Sequence, residues 1–166
     1  QTMQNLTTGG ANTALGRKAL NSADGAENNN VAIGSSAMQN ANNDSTENNV
    51  AVGVDAMSGA TSGAVTRNVA VGAHAMDATG SIGGTDNVFL GSSAGGGSWA
   101  TATSNYNIGI GTNVMDAAMN GATYNIGIGY VALTDLTEGD YNVAVGGGAG
   151  TNITTGHSNI QLGQDA

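Results

Sequence analysis

Branched apolar residues come in pairs along this chain, each pair split by one residue, preceded by Asn and closed by Gly. Asn49-Val50-Ala51-Val52-Gly53 is the plainest copy, and Asn68-Val69-Ala70-Val71-Gly72 repeats it. Variants run from Asn30 to Gly34, Asn87 to Gly91, Asn107 to Gly111, Asn125 to Gly129, Asn142 to Gly146 and Asn159 to Gly163, with a weaker one from Asn12 to Gly16. The steps between successive asparagines are 18, 19, 19, 19, 20, 18, 17 and 17 residues. Recurrence on this scale marks a solenoid. The alternation sets both branched side chains on one face of a short strand. The Gly suits a tight turn or a left-handed backbone. An Asn at one fixed place per coil predicts a ladder of side-chain amides that satisfies the turns.

After each Gly comes a second stretch built around a small residue, often followed by Met or Leu. Examples are Ser35-Ser36-Ala37-Met38, Val54-Asp55-Ala56-Met57 and Ala73-His74-Ala75-Met76. It is expected to be a second short strand. What remains of each coil is a polar loop of variable length, and loops of this kind collect on one face. The pattern predicts an all-β parallel β-solenoid of nine coils over residues 12–166, with 1–11 as an entry segment. Paired branched residues such as Val71 are expected to be buried, and Ser62 to lie in a loop. Two branched residues per coil are a thin core against the entropy of ordering a whole coil. A partner chain is the simplest further source of burial, and a homotrimer is expected, with either the Ala/Met or the Val/Ile strands near its axis.

Composition supports a stacked sheet. There are 28 Gly, no Pro, no Cys and only 9% charged residues. A coil lying between two others donates and accepts hydrogen bonds on both sides, and Pro cannot donate. The net charge is −9, with Arg17, Lys18 and Arg67 the only Lys or Arg side chains. That argues against a phosphate-backbone reader and an anionic-membrane binder, both of which need clustered cations. No apolar run approaches the ~20 residues that span a bilayer.

The run Asn30-Val31-Ala32-Ile33-Gly34-Ser35-Ser36-Ala37 resembles the head repeat of YadA-type trimeric autotransporter adhesins. Similar repeats with longer spacers occur in phage tail fibres. The resemblance covers residues 12–166 and implies a left-handed, trimeric β-roll with two short strands per coil. Coils here are longer than in the adhesin heads, and no heptad stalk or membrane anchor is visible, which favours the phage-fibre version. A hexapeptide left-handed β-helix fits poorly. It needs an aliphatic residue every six positions, and the sixth and twelfth residues after Ile33 are Gln39 and Ser45.

Candidate chemistry is sparse. His74 and His157 occupy non-equivalent parts of their coils, and no Ser/His/Asp spacing can be argued. No catalytic, cofactor-binding or metal-binding set is expected. The acidic pairs Asp44/Glu47 and Glu138/Asp140 are candidates for Ca²⁺ held across chains, with solvated surface as the plainer reading. Aromatic residues say more. Tyr106, Tyr124 and Tyr141 each precede a repeat Asn in successive coils, which predicts stacking at about 4.8 Å. Trp99 lies in the longest loop. These four are the candidate partner contacts, each with a packing role as its alternative. Asn30, Asn49, Asn68, Asn87, Asn107, Asn125, Asn142 and Asn159 are the structural repeat residues.

The function expected from this set is that of a non-enzymatic, extracellular fibre segment. It would belong to a phage tail fibre or a trimeric surface adhesin and mediate attachment to a host receptor or glycan. No nucleic-acid partner or membrane insertion is expected. The alternatives are a subunit of a self-assembling extracellular filament and a trimeric β-helical polysaccharide depolymerase.

Overall fold

The computed structural model describes residues 2–3, 8–61, 63–99 and 101–166. Ser62 lies outside the described residues. Nine three-residue strands form a single parallel sheet: β1 (Thr13–Leu15), β2 (Val31–Ile33), β3 (Val50–Val52), β5 (Val69–Val71), β7 (Val88–Leu90), β8 (Ile108–Ile110), β9 (Ile126–Ile128), β10 (Val143–Val145) and β11 (Ile160–Leu162). Two-residue strands β4 (Val65–Thr66) and β6 (Gly84–Thr85) pair separately. No helix occurs among the described residues. The chain is an all-β solenoid of about eight turns.

Register follows the phrase without a slip. Val50 pairs with Val69, Ala51 with Ala70 and Val52 with Val71, and every other junction keeps the same alignment. The closing glycines hold that register. Gly53 has φ 142°, and a Cβ on it would lie 2.3 Å from the carbonyl oxygen of Gly72 in the next coil. Both the backbone angle and the close approach of the coils require the absence of a side chain.

The stretch after each Gly is not a strand. Asp55 and Met57 have φ 55° and 52°, and His74 and Met76 have 59° and 50°. Alternate left-handed residues give a flat ribbon whose amides point up and down by turns. Asp55 N donates to Ser35 O of the preceding coil at 2.9 Å, and Met57 N donates to Ala75 O of the following coil at 2.9 Å. A left-handed non-Gly residue costs roughly 1–2 kcal/mol, and the inter-coil bonds offset it. The ribbon turns its Ala and Met side chains inward, and Ala56, Met57, Ala75 and Met76 are fully buried.

The described part of 1–11 already follows the repeat. Met3 has φ 49°, and its N donates to Ala19 O at 3.1 Å. That is the geometry of Met38 and Met57 in their own coils.

The interior is narrow, and this reverses one expectation. The middle residue of each phrase faces inward: Ala32, Ala51, Ala70, Phe89 and Ala144 are fully buried. The branched pair on either side faces outward, and Val71 is 37% exposed. The space between strand and ribbon admits a methyl group in most coils, so the larger side chains take the other face. Between the two end coils, Phe89 is the one larger side chain at this position. It fits because glycines surround it: a Cβ on Gly109 would sit 2.5 Å from Phe89 Cδ1, and one on Gly95 2.9 Å from the same ring.

Candidate functional site: the outer faces of the coil stack

One amide ladder runs the length of the solenoid and fixes what each face presents. Asn49 Nδ2 donates to Val65 O at 2.7 Å and to Asn30 Oδ1 at 3.0 Å. Asn49 Oδ1 in turn accepts from Asn68 N at 2.9 Å and Asn68 Nδ2 at 3.2 Å. The same pattern joins Asn68 to Asn87, Asn87 to Asn107, Asn107 to Asn125, Asn125 to Asn142 and Asn142 to Asn159. From Asn30 to Asn142 each amide spans a neighbouring coil and a loop carbonyl, so the turns are pinned at a constant height. The ladder expected from the sequence is therefore present. Its asparagines from Asn30 to Asn142 are fully buried.

Outside this ladder lies the first surface, the outer face of the nine-stranded sheet. It carries two columns of branched side chains. One contains Val50, Val69, Val88, Ile108 and Ile126, and the other Val52, Val71, Leu90, Ile110 and Ile128. Each of them is half-buried or exposed. At ~4.8 Å per coil the strip is roughly 40 Å long. A continuous apolar strip of this length, left half-buried or exposed among the described residues, has the character of an interaction surface.

Beside it runs a second column, formed by the residue before each repeat Asn. Tyr106 and Tyr124 stack with ring centroids 4.8 Å apart and planes 9° from parallel. Tyr124 and Tyr141 stack at 5.1 Å and 2°. The three rings are 45%, 47% and 59% exposed. Because they stack, their inner faces are spent on one another. Edges, hydroxyls and the two end faces remain for a partner, which leaves little for sugar stacking between rungs. Earlier in the same column the guanidinium of Arg67 grips Asp86 with two bonds of 2.8 Å. That pairing holds the Asp86 carboxyl below the usual range.

Trp99 differs from its expectation as a contact residue. It is only 4% exposed. Its Nε1 donates to Gly95 O at 3.2 Å, and its ring meets Phe89 edge-on at 6.4 Å. The longest loop folds this indole down over the core next to the one phenylalanine. Gly84 makes the room, since a Cβ there would lie 2.3 Å from Trp99 Cζ3. The packing alternative is the one observed.

Several ionisable side chains bond to the backbone of adjacent coils, and others to side chains. Asp44 Oδ1 accepts from Ala26 N at 3.0 Å. Glu138 Oε1 accepts from Asn120 Nδ2 at 2.9 Å, and Asp140 Oδ1 accepts from Thr123 N and Oγ1 at 2.7 Å each. His157 Nδ1 accepts from Asp140 N at 3.0 Å. His74 Nδ1 lies 3.0 Å from Asp77 Oδ2. Asp77 and Asp116 converge on Gly96, with Oδ1 atoms 3.3 and 3.0 Å from where its Cβ would be. Burial raises both carboxyls, and each is raised further by a neighbouring acid, Asp55 for Asp77 and Asp77 for Asp116. Among the described residues, no group of three or more His, Asp or Glu is arranged to hold a metal ion. Sequence reasoning missed Glu27, which is fully buried with Oε2 accepting from Gly25 N at 3.1 Å. Its place three residues before Asn30, where Thr46 and Val65 stand in the next coils, is the signal that could have found it.

No helix among the described residues is long and apolar enough to cross a membrane. No family model, no curated protein and no solved structure matches this chain.

Proposed function

We propose that this chain is a structural and adhesive fibre segment that works as a homotrimer, extracellularly, in a phage tail fibre or a related surface adhesin. The observation that carries the reading is the apolar outer face of the nine-stranded sheet. Two columns of Val, Ile and Leu run along the stack from β2 to β11, half-buried or exposed among the described residues. Three such faces turned toward a common axis would bury one another and supply the core that a narrow coil lacks. Matching coil heights let identical chains mesh rung against rung. The resemblance of the Asn-Val-Ala-Ile-Gly-Ser-Ser-Ala run to YadA-type head repeats supports the same arrangement. So does the use of Asp44, Asp140 and His157, which accept hydrogen bonds from the backbones of neighbouring coils.

Attachment then belongs to the faces pointing away from the axis. Sedimentation equilibrium of the purified segment tests the assembly, with three chains expected. A folded monomer at micromolar concentration would overturn it. Binding of the assembled segment to host cells or glycan arrays tests adhesion, and an intact trimer that binds nothing would leave it a spacer.

A further inference from the structure

The tyrosine column has a geometry that side chains on a mobile surface do not hold. Tyr106, Tyr124 and Tyr141 are locked by their own backbones at φ 59°, 57° and 57°. Their rings stack at 4.8 and 5.1 Å and within 9° and 2° of parallel. All three remain about half exposed. We propose that this ladder is a site of oxidative tyrosine cross-linking, where a peroxidase-type one-electron oxidant fed by hydrogen peroxide joins neighbouring rings and staples successive coils covalently.

The chemistry balances. Each of two phenols gives up one electron and its hydroxyl proton, leaving two tyrosyl radicals. Hydrogen peroxide takes the two electrons and two protons and becomes two waters. The radicals combine, and a carbon–carbon bond forms between the positions ortho to the two oxygens. The hydrogens on those carbons shift to the oxygens, which restores two phenols. The protein loses two hydrogens per link. Bond formation begins by overlap of orbitals perpendicular to the ring planes, so a parallel stack puts the reacting lobes face to face before any radical exists. Proximity and orientation of this kind convert a bimolecular encounter into an intramolecular step. Tyr130 supplies an internal contrast. It is 64% exposed, yet it stacks on no aromatic ring among the described residues. Exposure alone would favour Tyr130, whereas geometry favours the ladder. Tyr124 belongs to both stacked pairs, so either link consumes it.

The test uses the whole chain at high dilution with a peroxidase and hydrogen peroxide. Dityrosine fluorescence is followed, then the product is cut after acidic residues. Asp116 separates Tyr106 from Tyr124, and Asp135, Glu138 and Asp140 separate Tyr124 from Tyr141. Tyr130 stays on the Tyr124 peptide and is told apart by fragmenting the linked peptides in the mass spectrometer. The expected product joins the Tyr124 peptide to the Tyr106 or Tyr141 peptide of the same chain, at a mass lower by two hydrogens. Tyr124→Phe keeps a stackable ring but no phenol, and it is expected to lose the cross-link. Tyr130→Phe should keep the full yield. The proposal is overturned if no dityrosine forms, if the link maps to Tyr130 or only between chains, or if Tyr124→Phe still cross-links within a chain whose β-spectrum is unchanged.

Discussion

A buried asparagine in this fold holds more than itself. Asn68 accepts from Asn87 N and Nδ2 and donates to Gly84 O at 2.8 Å. Asn68→Ala would strand the Asn87 backbone N–H and the Gly84 carbonyl in a dry interior, while Asn87 Nδ2 keeps its bond to Ser104 O. Each unsatisfied group costs about 1–3 kcal/mol, so a loss of roughly 2–5 kcal/mol is expected in denaturant unfolding, and a loss below about 1 kcal/mol would show that the ladder is not cooperative. Asp116 makes the opposite case. Its carboxyl is raised by burial and by Asp77, so the folded chain holds that proton more tightly than the unfolded chain does. The ionised form therefore weakens the fold at neutral pH, and stability from this group returns as pH falls through its raised folded value and is full below the unfolded one. Asp116→Asn should raise the melting temperature at pH 7 and give a shrinking gain in acid. A gain that grows in acid would contradict the assignment. At this scale the ladder was legible because Asn recurs at one fixed position. The buried Glu27 was not, because the residue three before the repeat Asn changes from Glu27 to Thr46 to Val65, so no residue type marks that position.

Elements in this chain answer to their neighbours above and below. β7 carries Phe89 where β2, β3, β5 and β10 carry Ala, and β8 answers with Gly109. Gly109→Ala would drive a methyl group into the Phe89 ring and should destabilise by about 1–3 kcal/mol, as overpacking does. Phe89→Ala alone leaves a cavity worth roughly 3–5 kcal/mol. Together they restore the ordinary Ala-over-Ala stack, so the double variant should be more stable than the sum of the two by at least ~1 kcal/mol. Additive losses in thermal unfolding would mean the two sites do not touch. The strands themselves were legible from branched pairs at spacing two. The ribbon after them was not, since Ser-Ala-Met carries no glycine to announce left-handed residues such as Ser36 and Met38. Their φ is imposed by hydrogen bonds to adjacent coils, which no local pattern encodes.

For the whole molecule, the alternation in each phrase told which residues share a face but not which face is inside. The interior's width decides that, and width depends on how loop and ribbon close each coil. Val71 and Ala70 separate the two faces experimentally. Val71→Asp points into the outer strip, so the variant should keep its β-rich circular dichroism while sedimenting as a smaller species. Ala70→Asp places a carboxylate in the closed interior and should abolish the fold. Identical behaviour of the two variants would refute the assignment of faces. The direction of the backbone bonds has a mechanical side as well. In a parallel sheet they run from strand to strand, which here is along the rod, as in Val50 N to Asn68 O at 2.9 Å. A pull on the two ends of one chain therefore loads the coils in series, not all at once. The rod should yield as a spring that gives one turn at a time, with each release paying out about 18 residues of slack, roughly 60 Å. In single-molecule stretching that is a sawtooth of evenly spaced steps, and one abrupt loss of the entire length would contradict it. Strands packed against a neighbouring chain would raise the force of each step and leave its length unchanged.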